Sequence, residues 1–241
     1  MAIEQGDVIT TGKAKRLYAT NDPELLWVQH LNQATALNGK RKAEIPEKAA
    51  YTNQISQLLF EFLNQAGIAT HFVQRLSKTE SLVQRLEMLP LEVVIRNYAS
   101  GHFVSRFGVE NMQVLEPNVL EFYFKSDALD DPFMNESQIL ALRLADTETL
   151  VQIQTVAHQI NQHLKALFDE IDITLVDFKL EFGRTDAGQV ILGDELSPDN
   201  MRLVDQSTGA SLDKDIFRQN SGDLTIGYAQ VLQRLQAKLG A

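Results

Sequence analysis

The sequence predicts an α+β protein with two lobes, a smaller β-rich N-terminal one and a larger C-terminal α/β one. Short strand-like segments dominate the first part of the chain. In the remainder, two long amphipathic helix patterns, at 148–168 and 223–239, alternate with strand patterns. We place the boundary near Pro90, which predicts lobes of residues 1–90 and 91–241.

The N-terminal part of the chain is predicted to begin with strands. Residues 8–19 alternate around Gly12 and predict two strands joined near the sequence GKAK, and residues 24–31 predict a third. Residues 53–66 predict a helix, because their apolar side chains fall on one stripe, and Gly67 stands at its C-terminal end. The residues of that stripe are Ile55, Leu58, Leu59, Phe62 and Leu63.

Further strand patterns lead into the C-terminal part. Segments 69–76 and 80–89 are strand-like, the second ending at Pro90, and residues 91–98 are rich in β-branched side chains. After the helix at 148–168, which Asp146 or Thr147 could cap, residues 173–183 and 189–195 predict a hairpin.

Composition excludes several classes of protein. The 241 residues contain no cysteine, so disulfides, thiol nucleophiles and thiolate metal sites are impossible. A net charge of −10 makes a nucleic-acid partner improbable. No apolar run approaches the ~18 residues of a membrane helix. The start has no apolar core of signal-peptide length, so we predict a cytoplasmic protein.

The motif LVDFKLEFG places charged and apolar side chains on opposite faces of one strand. Asp177, Lys179 and Glu181 share a face because strand side chains alternate. If the hairpin loop is the four residues 185–188, Lys179 lies opposite Asp194 and Glu181 lies diagonal to Asp194. Two carboxylates so placed suit Mg²⁺ shared with substrate phosphates. The alternative is a solvated strand face with a Lys–Asp ion pair.

The segment GKAK predicts a nucleotide site. Gly12 allows a close approach of the backbone to a ligand, and Lys13 and Lys15 project to one side of a strand. This suits a nucleoside triphosphate lying over a hairpin, although the spacing is not that of a P-loop. A solvent-exposed hairpin with two lysines is the alternative.

Arg96 ends a strand and is followed by a turn of small residues that includes Ser100 and Gly101. An arginine so placed can clamp a phosphate or carboxylate in bidentate fashion. The alternative is a structural arginine that ties the turn to a carboxylate.

Taken in order, these segments closely resemble the phosphoribosylaminoimidazole-succinocarboxamide synthase (SAICAR synthetase) family from Gly12 to Arg218. The motifs are GKAK, LPLEVVIRN, FYFKSDALDDP, LVDFKLEFG, GDELSPDNMRL and LDKDIFR. The resemblance implies an ATP- and Mg²⁺-dependent ligase of purine biosynthesis. Such an enzyme joins L-aspartate to the carboxylate of carboxyaminoimidazole ribonucleotide (CAIR) through an acyl phosphate, releasing ADP and phosphate. It also implies a kinase-like nucleotide lobe and an active-site cleft between the lobes.

The resemblance also implies roles for individual residues. The catalytic pair, facing the imidazole and carboxylate end of CAIR, is Asp177 and Lys179, and the metal ligands are Glu181 and Asp194. The ATP-binding residues are Gly12, Lys13, Ala14, Lys15, Lys125 and, beside adenine in the interlobe segment, Glu87 and Met88. The substrate-binding residues are Arg96, Ser100, His102, Arg202, Asn38, Lys214 and Arg218. No residue is assigned to L-aspartate.

Three positions depart from the family pattern. His102 stands in the place of a serine that helps bind the ribonucleotide phosphate, Gln33 replaces a common aspartate, and Ala49 replaces a Lys-Gly pair. Two other functions are compatible with the motifs: a small-molecule kinase and a non-catalytic nucleotide-binding module. The predicted partners are ATP, CAIR and L-aspartate, without nucleic acid or membrane. Association into a homo-oligomer is plausible.

Overall fold

The computed structural model describes residues 2–36 and 41–240. The N-terminal lobe contains a five-stranded antiparallel sheet, a two-stranded hairpin and one long helix. Its elements, in chain order, are β1 (Gln5–Thr11), β2 (Lys15–Thr20), β3 (Leu25–His30), β4 (Gln33–Ala36), β5 (Arg41–Glu44), α1 (Lys48–Gln65), β6 (Phe72–Arg75) and β7 (Glu80–Gln84). The sheet order is β1-β2-β3-β7-β6, and β4 pairs with β5.

The C-terminal lobe is built on a six-stranded sheet. The first elements are β8 (Glu87–Tyr98), α2 (His102–Phe107), β9 (Val114–Phe124), β10 (Phe133–Met134), α3 (Glu136–Ala141) and α4 (Thr147–Asp169). They are followed by β11 (Ile173–Arg184), β12 (Val190–Leu192), β13 (Met201–Asp205), α5 (Asp215–Gln219) and α6 (Leu224–Leu239). The order is β10-β9-β8-β11-β12, and β13 also pairs with β11. In the described residues, no helix is both long and apolar enough to cross a membrane.

The larger of the two hydrophobic clusters in the described residues lies between the six-stranded sheet and the long helices. It contains the apolar stripe of α4, the apolar face of β11 and buried residues of both α1 and α6. Leu180 and Phe182 are each 1% exposed, and full burial of such a side chain contributes about 1.5–3 kcal/mol. This core anchors β11, whose other face is therefore held rigidly where it meets the cleft.

Most long elements are confirmed. β1, β2, β3, α4, the β11–β12 hairpin and α6 appear where the patterns predicted them, and Asp146 caps α4 by accepting from the Thr149 backbone N–H. Gly67, just beyond α1, has the left-handed conformation expected after a helix.

The predicted strand limits near Pro90 are wrong. β7 ends at Gln84, and β8 begins at Glu87 and passes through Pro90. The chain thus changes sheets between Gln84 and Glu87, while α1 packs on α6 of the other lobe. The division of the chain into lobes of 1–90 and 91–241 remains a prediction.

Candidate active site

A cleft of about 490 Å³ opens between the two sheets, within the range of small-molecule sites. The β1–β2 turn forms one wall, and the polar faces of β8 and β11 form the floor. The segments after β12 and before α5 close the remaining side. Sheet order explains this convergence, because β8 and β11 are neighbours in the middle of the sheet.

β11 places Asp177, Lys179 and Glu181 on the cleft face, as the alternating pattern predicted. In the pairing with β8, Glu181 lies opposite Glu92 and Asp177 lies opposite Arg96. Lys179 therefore lies between Asp177 and Glu181 along β11 and diagonally from Glu92 on β8. Cross-strand pairs of this kind are ~5 Å apart, close enough for direct ion pairs.

Each of the two predicted metal ligands is paired with a lysine. Lys179 Nζ lies 2.7 Å from Glu181 Oε1 and 2.7 Å from Glu92 Oε1, and Lys125 contacts the other Glu181 oxygen. Lys15 contacts Asp194 and lies 3.2 Å from Glu195 Oε1. The two lobes therefore meet at this cluster of charges.

The electrostatics of the cluster keep its members charged. Burial alone would raise the pKa of Asp194, but Lys15 and Lys179 lower it well below the ordinary value. Burial alone would lower the pKa of Lys15, and Asp194 and Glu195 raise it overall. The pKa of Lys179 is likewise raised, against the effect of burial, by Glu181, Asp194 and Glu92.

The predicted register between β11 and β12 is wrong by one residue. Val190 pairs with Arg184 and Leu192 pairs with Phe182, so Lys179 does not face Asp194 across a regular ladder. In this register, an extended β12 would place Asp194 on the core face. The strand instead ends at Leu192, and Asp194 has a φ of 58°. This left-handed turn brings its side chain into the cleft with Glu181.

A second cluster joins two arginines through Asp177. Arg96 is buried, with Nε 2.7 Å from Glu121 Oε2 and Nη1 2.6 Å from Asp177 Oδ2. Arg202 is more exposed, and its Nη1 lies 2.9 Å from Asp177 Oδ2. Burial alone would lower the pKa of Arg96, but Asp177 and Glu121 raise it overall. These contacts agree with the alternative in which Arg96 has a structural role and is paired with a carboxylate, although Arg96 also lines the cleft.

Arg202 is linked in turn to the other predicted substrate-binding residues. Its Nε lies 2.9 Å from Asp215 Oδ2, and Arg218 contacts the same carboxylate. A Cβ added to Gly101, which has a φ of 54°, would lie 2.7 Å from Arg202 Nη2. The turn that carries Ser100 and His102 therefore lies against Arg202.

The remaining predicted residues have different positions. Lys13 is paired with Asp127, at 2.6 Å from Nζ to Oδ1, at the rim of the cleft. Glu87 and Met88 open β8 and are exposed outside the cleft lining described above. The predicted substrate residue Asn38 lies outside the described residues.

Sequence reasoning missed most of the acids that hold the cleft cations. Glu92 and Glu121 are strand residues, and Glu92 shares the alternation of Arg96, which is a signal that could have identified it. Another missed group lies deeper: Lys48 is fully buried and contacts Asp199, which also accepts a hydrogen bond of 2.7 Å from Tyr228 Oη.

The donor set fits a magnesium ion that is shared with a ligand. Across the described ranges, no group of three or more histidine or carboxylate side chains could hold a metal ion by itself. Glu181 and Asp194 offer two carboxylates in one cleft, and Mg²⁺ usually takes one or two protein carboxylates and completes its shell with water and phosphate oxygens.

Comparison with known proteins gives a consistent result. The model of the family described as SAICAR synthetase matches residues 8–235. The phosphoribosylaminoimidazole-succinocarboxamide synthase of Lacticaseibacillus paracasei is 56% identical over 231 residues, 96% of each chain. A crystal structure of that synthase from Ehrlichia chaffeensis has a TM-score of 0.94 at 40% identity, covering 96% of this chain and 99% of that one. A SAICAR synthetase in complex with ADP has a TM-score of 0.93 at 35% identity, covering 96% and 98%.

Proposed function

The chain belongs to the SAICAR synthetase family, and from this premise we propose where each substrate binds in its cleft. It is an ATP-dependent ligase of purine biosynthesis that condenses L-aspartate with the carboxylate of CAIR. The observation that carries the assignment of residues is the meeting of Lys15, Lys179, Glu181 and Asp194 in one cleft. A cytoplasmic location and a homo-oligomer remain predictions.

The triphosphate of ATP binds at the β1–β2 turn. Lys13, Lys15 and Lys125 line the cleft and are each paired with a carboxylate, so phosphate oxygens can replace those partners with little rearrangement. Gly12 and Ala14 lie in the same turn, and the Gly12 N–H donates to the Lys15 carbonyl at 2.8 Å. Adenine would then extend toward Glu87 and Met88, at the crossing between the sheets.

Glu181 and Asp194 would hold Mg²⁺ together with the phosphates. Glu181 is buried and Asp194 is partly buried, both beside lysines, and Asp194 is kept ionised by Lys15 and Lys179. When bound, the ion neutralises charge on the phosphates during phosphoryl transfer.

The ribonucleotide binds at the arginine cluster. Arg202 and Arg218 are more exposed than Arg96, and the turn with Ser100 and His102 lies beside Arg202. Arg96 lies behind Asp177 and orients it, so that Asp177 and Lys179 face the imidazole and its carboxylate. Guanidinium forks suit phosphate recognition because they bind two oxygens at once.

The chemistry follows from this placement of ATP and CAIR at two neighbouring parts of the cleft. The CAIR carboxylate attacks the γ-phosphorus of ATP, the bond to the β-phosphate oxygen breaks, and ADP leaves. The resulting acyl phosphate is attacked by the aspartate amine, an amide bond forms, and phosphate leaves with loss of the amine proton. Lys15 and Lys179 offset the negative charge where two anions meet, so the protein contributes mainly positioning and electrostatics.

A coupled assay of ADP release tests this function. ADP should form only when CAIR, L-aspartate, ATP and Mg²⁺ are all present, and the product should contain the amide of aspartate. ADP release that needs only one acceptor would indicate a small-molecule kinase. Nucleotide binding without any turnover would indicate a binding module.

A further inference from the structure

Lys214 differs from the other cations of the cleft. Seven other lysine and arginine side chains in its described lining each contact a carboxylate within hydrogen-bond distance: Lys13, Lys15, Arg96, Lys125, Lys179, Arg202 and Arg218. Lys214 makes no such contact within residues 2–36 and 41–240. Its nearest carboxylate oxygen, Asp199 Oδ1, lies 4.0 Å from Nζ.

That oxygen is already satisfied by other groups. Asp199 Oδ1 accepts the hydrogen bond of Tyr228, and Asp199 Oδ2 contacts the buried Lys48. Each oxygen of Asp199 therefore already has one close partner, and Lys214 Nζ stays beyond hydrogen-bond distance of this carboxylate. The Lys214 side chain is only 12% exposed, so water compensates its charge incompletely.

The electrostatic balance at Lys214 agrees with this geometry. Burial lowers its pKa, Asp199 opposes that effect, and Lys48 and Arg218 add to it. A buried ammonium with this balance is stabilised when an anion arrives beside it. The part of the cleft around Lys214 is therefore suited to bind one negatively charged group.

The position of Lys214 favours one substrate over the others. Asp199, 4.0 Å from Lys214, lies in the segment after β12 that also carries Asp194, the partner of Lys15 at the nucleotide end. In the chain, Lys214 directly precedes Asp215, whose carboxylate contacts Arg202 and Arg218 of the arginine cluster. Lys214 therefore lies between the two ends of the cleft, where the acyl phosphate must meet its nucleophile.

We propose that Lys214 binds a carboxylate group of L-aspartate and so positions the amine for attack. This inference rests on the proposed function and extends it to the third substrate. A single ammonium suits a carboxylate, whereas the ribonucleotide phosphate has the forked guanidinium groups of Arg202 and Arg218 nearby.

Steady-state kinetics of Lys214→Met test the proposal, with each substrate varied in turn. The KM for L-aspartate should rise ~10-fold or more, as expected for loss of a charged hydrogen bond. The KM values for CAIR and ATP should stay near those of the wild type. Lys214→Arg should recover part of the affinity because it keeps the charge. The exposed Lys165→Met on α4 is the matched control and should not change any KM.

A larger rise in the KM for CAIR than for L-aspartate would overturn the proposal, as would an unchanged KM for L-aspartate. The unfolding midpoint should hardly change, since no short ion pair is lost; Lys214→Gln offers the same comparison if the Met variant fails to fold. If the wild-type protein releases no ADP in response to L-aspartate, the proposed function itself is wrong.

Discussion

The substitution Glu181→Gln tests the central cluster most directly. Both carboxylate oxygens of Glu181 accept from lysines, Oε1 from Lys179 and Oε2 from Lys125, and the side chain is 2% exposed. Glutamine has nearly the same shape but is neutral, and its amide nitrogen would face an ammonium group. The change therefore removes charge and one acceptor while leaving the packing of β11 intact.

The magnitudes separate a catalytic effect from a folding effect. Breaking a buried ion pair typically costs about 3–5 kcal/mol. Here the loss should be smaller, about 1–3 kcal/mol, because Lys125 is half exposed and can be hydrated, and Lys179 keeps its contact with Glu92. In contrast, loss of one electrostatic partner of the transition state reduces kcat about 10²–10³-fold. Turnover should therefore nearly vanish in a protein that remains folded.

The assay is ADP release at saturating CAIR, ATP and L-aspartate over a series of Mg²⁺ concentrations, with the unfolding midpoint measured in parallel. Glu92→Gln is the matched control, because it also removes a carboxylate from Lys179 but none of the proposed metal ligands. It should reduce kcat much less. Wild-type turnover by Glu181→Gln at ordinary Mg²⁺ would exclude Glu181 from the metal site and refute the reasoning.

Three further predictions concern the arginine cluster, its turn and a buried acid. Arg96→Lys should raise the KM for CAIR, because one ammonium cannot hold both carboxylates that the guanidinium joins; an unchanged KM in steady-state assays would leave Arg96 a structural role only. His102→Ser should keep near-normal kcat and KM, since His102 is exposed, and complete inactivation would show that the histidine has its own task. Burial raises the pKa of Asp213 from 3.8 to about 6, so the folded state retains this proton between those values and loses stability as the pH rises through them. Chemical denaturation should show the wild type gaining about 2 kcal/mol relative to Asp213→Asn between pH 7 and 4.5, and a pH-independent difference would contradict the shift.

The features that could be predicted from sequence are local ones. The alternation in LVDFKLEFG determines which side chains share a face, whatever the partner strands are, and β11 has this pattern. The helix stripes of α4 and α6 are equally local. Register is different, because it depends on how the turn closes. The Thr185 N–H donates to the Gln189 carbonyl, and Gly188 has a φ of 82°, so three residues rather than four lie between the paired ends.

Asp194 lies in the cleft, as the sequence predicted. The strand pairing from which this position was predicted, however, is wrong. Regular pairing would have directed this side chain into the core, and a left-handed residue reverses it. No residue type in GDELSPD requires that conformation. Likewise, Glu121 becomes a partner of Arg96 only because β9 lies beside β8, and sheet order is a property of the whole fold.

The charges of the cleft suggest why nucleotide and metal ion should bind together. Its described lining carries as many carboxylates as cations, so the cations other than Lys214 are paired before any anionic substrate arrives. When phosphate oxygens take Lys15 and Lys125, the carboxylates of Asp194 and Glu181 lose those partners. Glu181 would keep Lys179, but a largely or partly buried carboxylate that loses one of its cation partners is destabilised. Glu181 and Asp194 would hold a divalent ion that supplies the missing positive charge, so the pairing of lysines with the proposed metal ligands would favour ATP with its metal ion over free ATP.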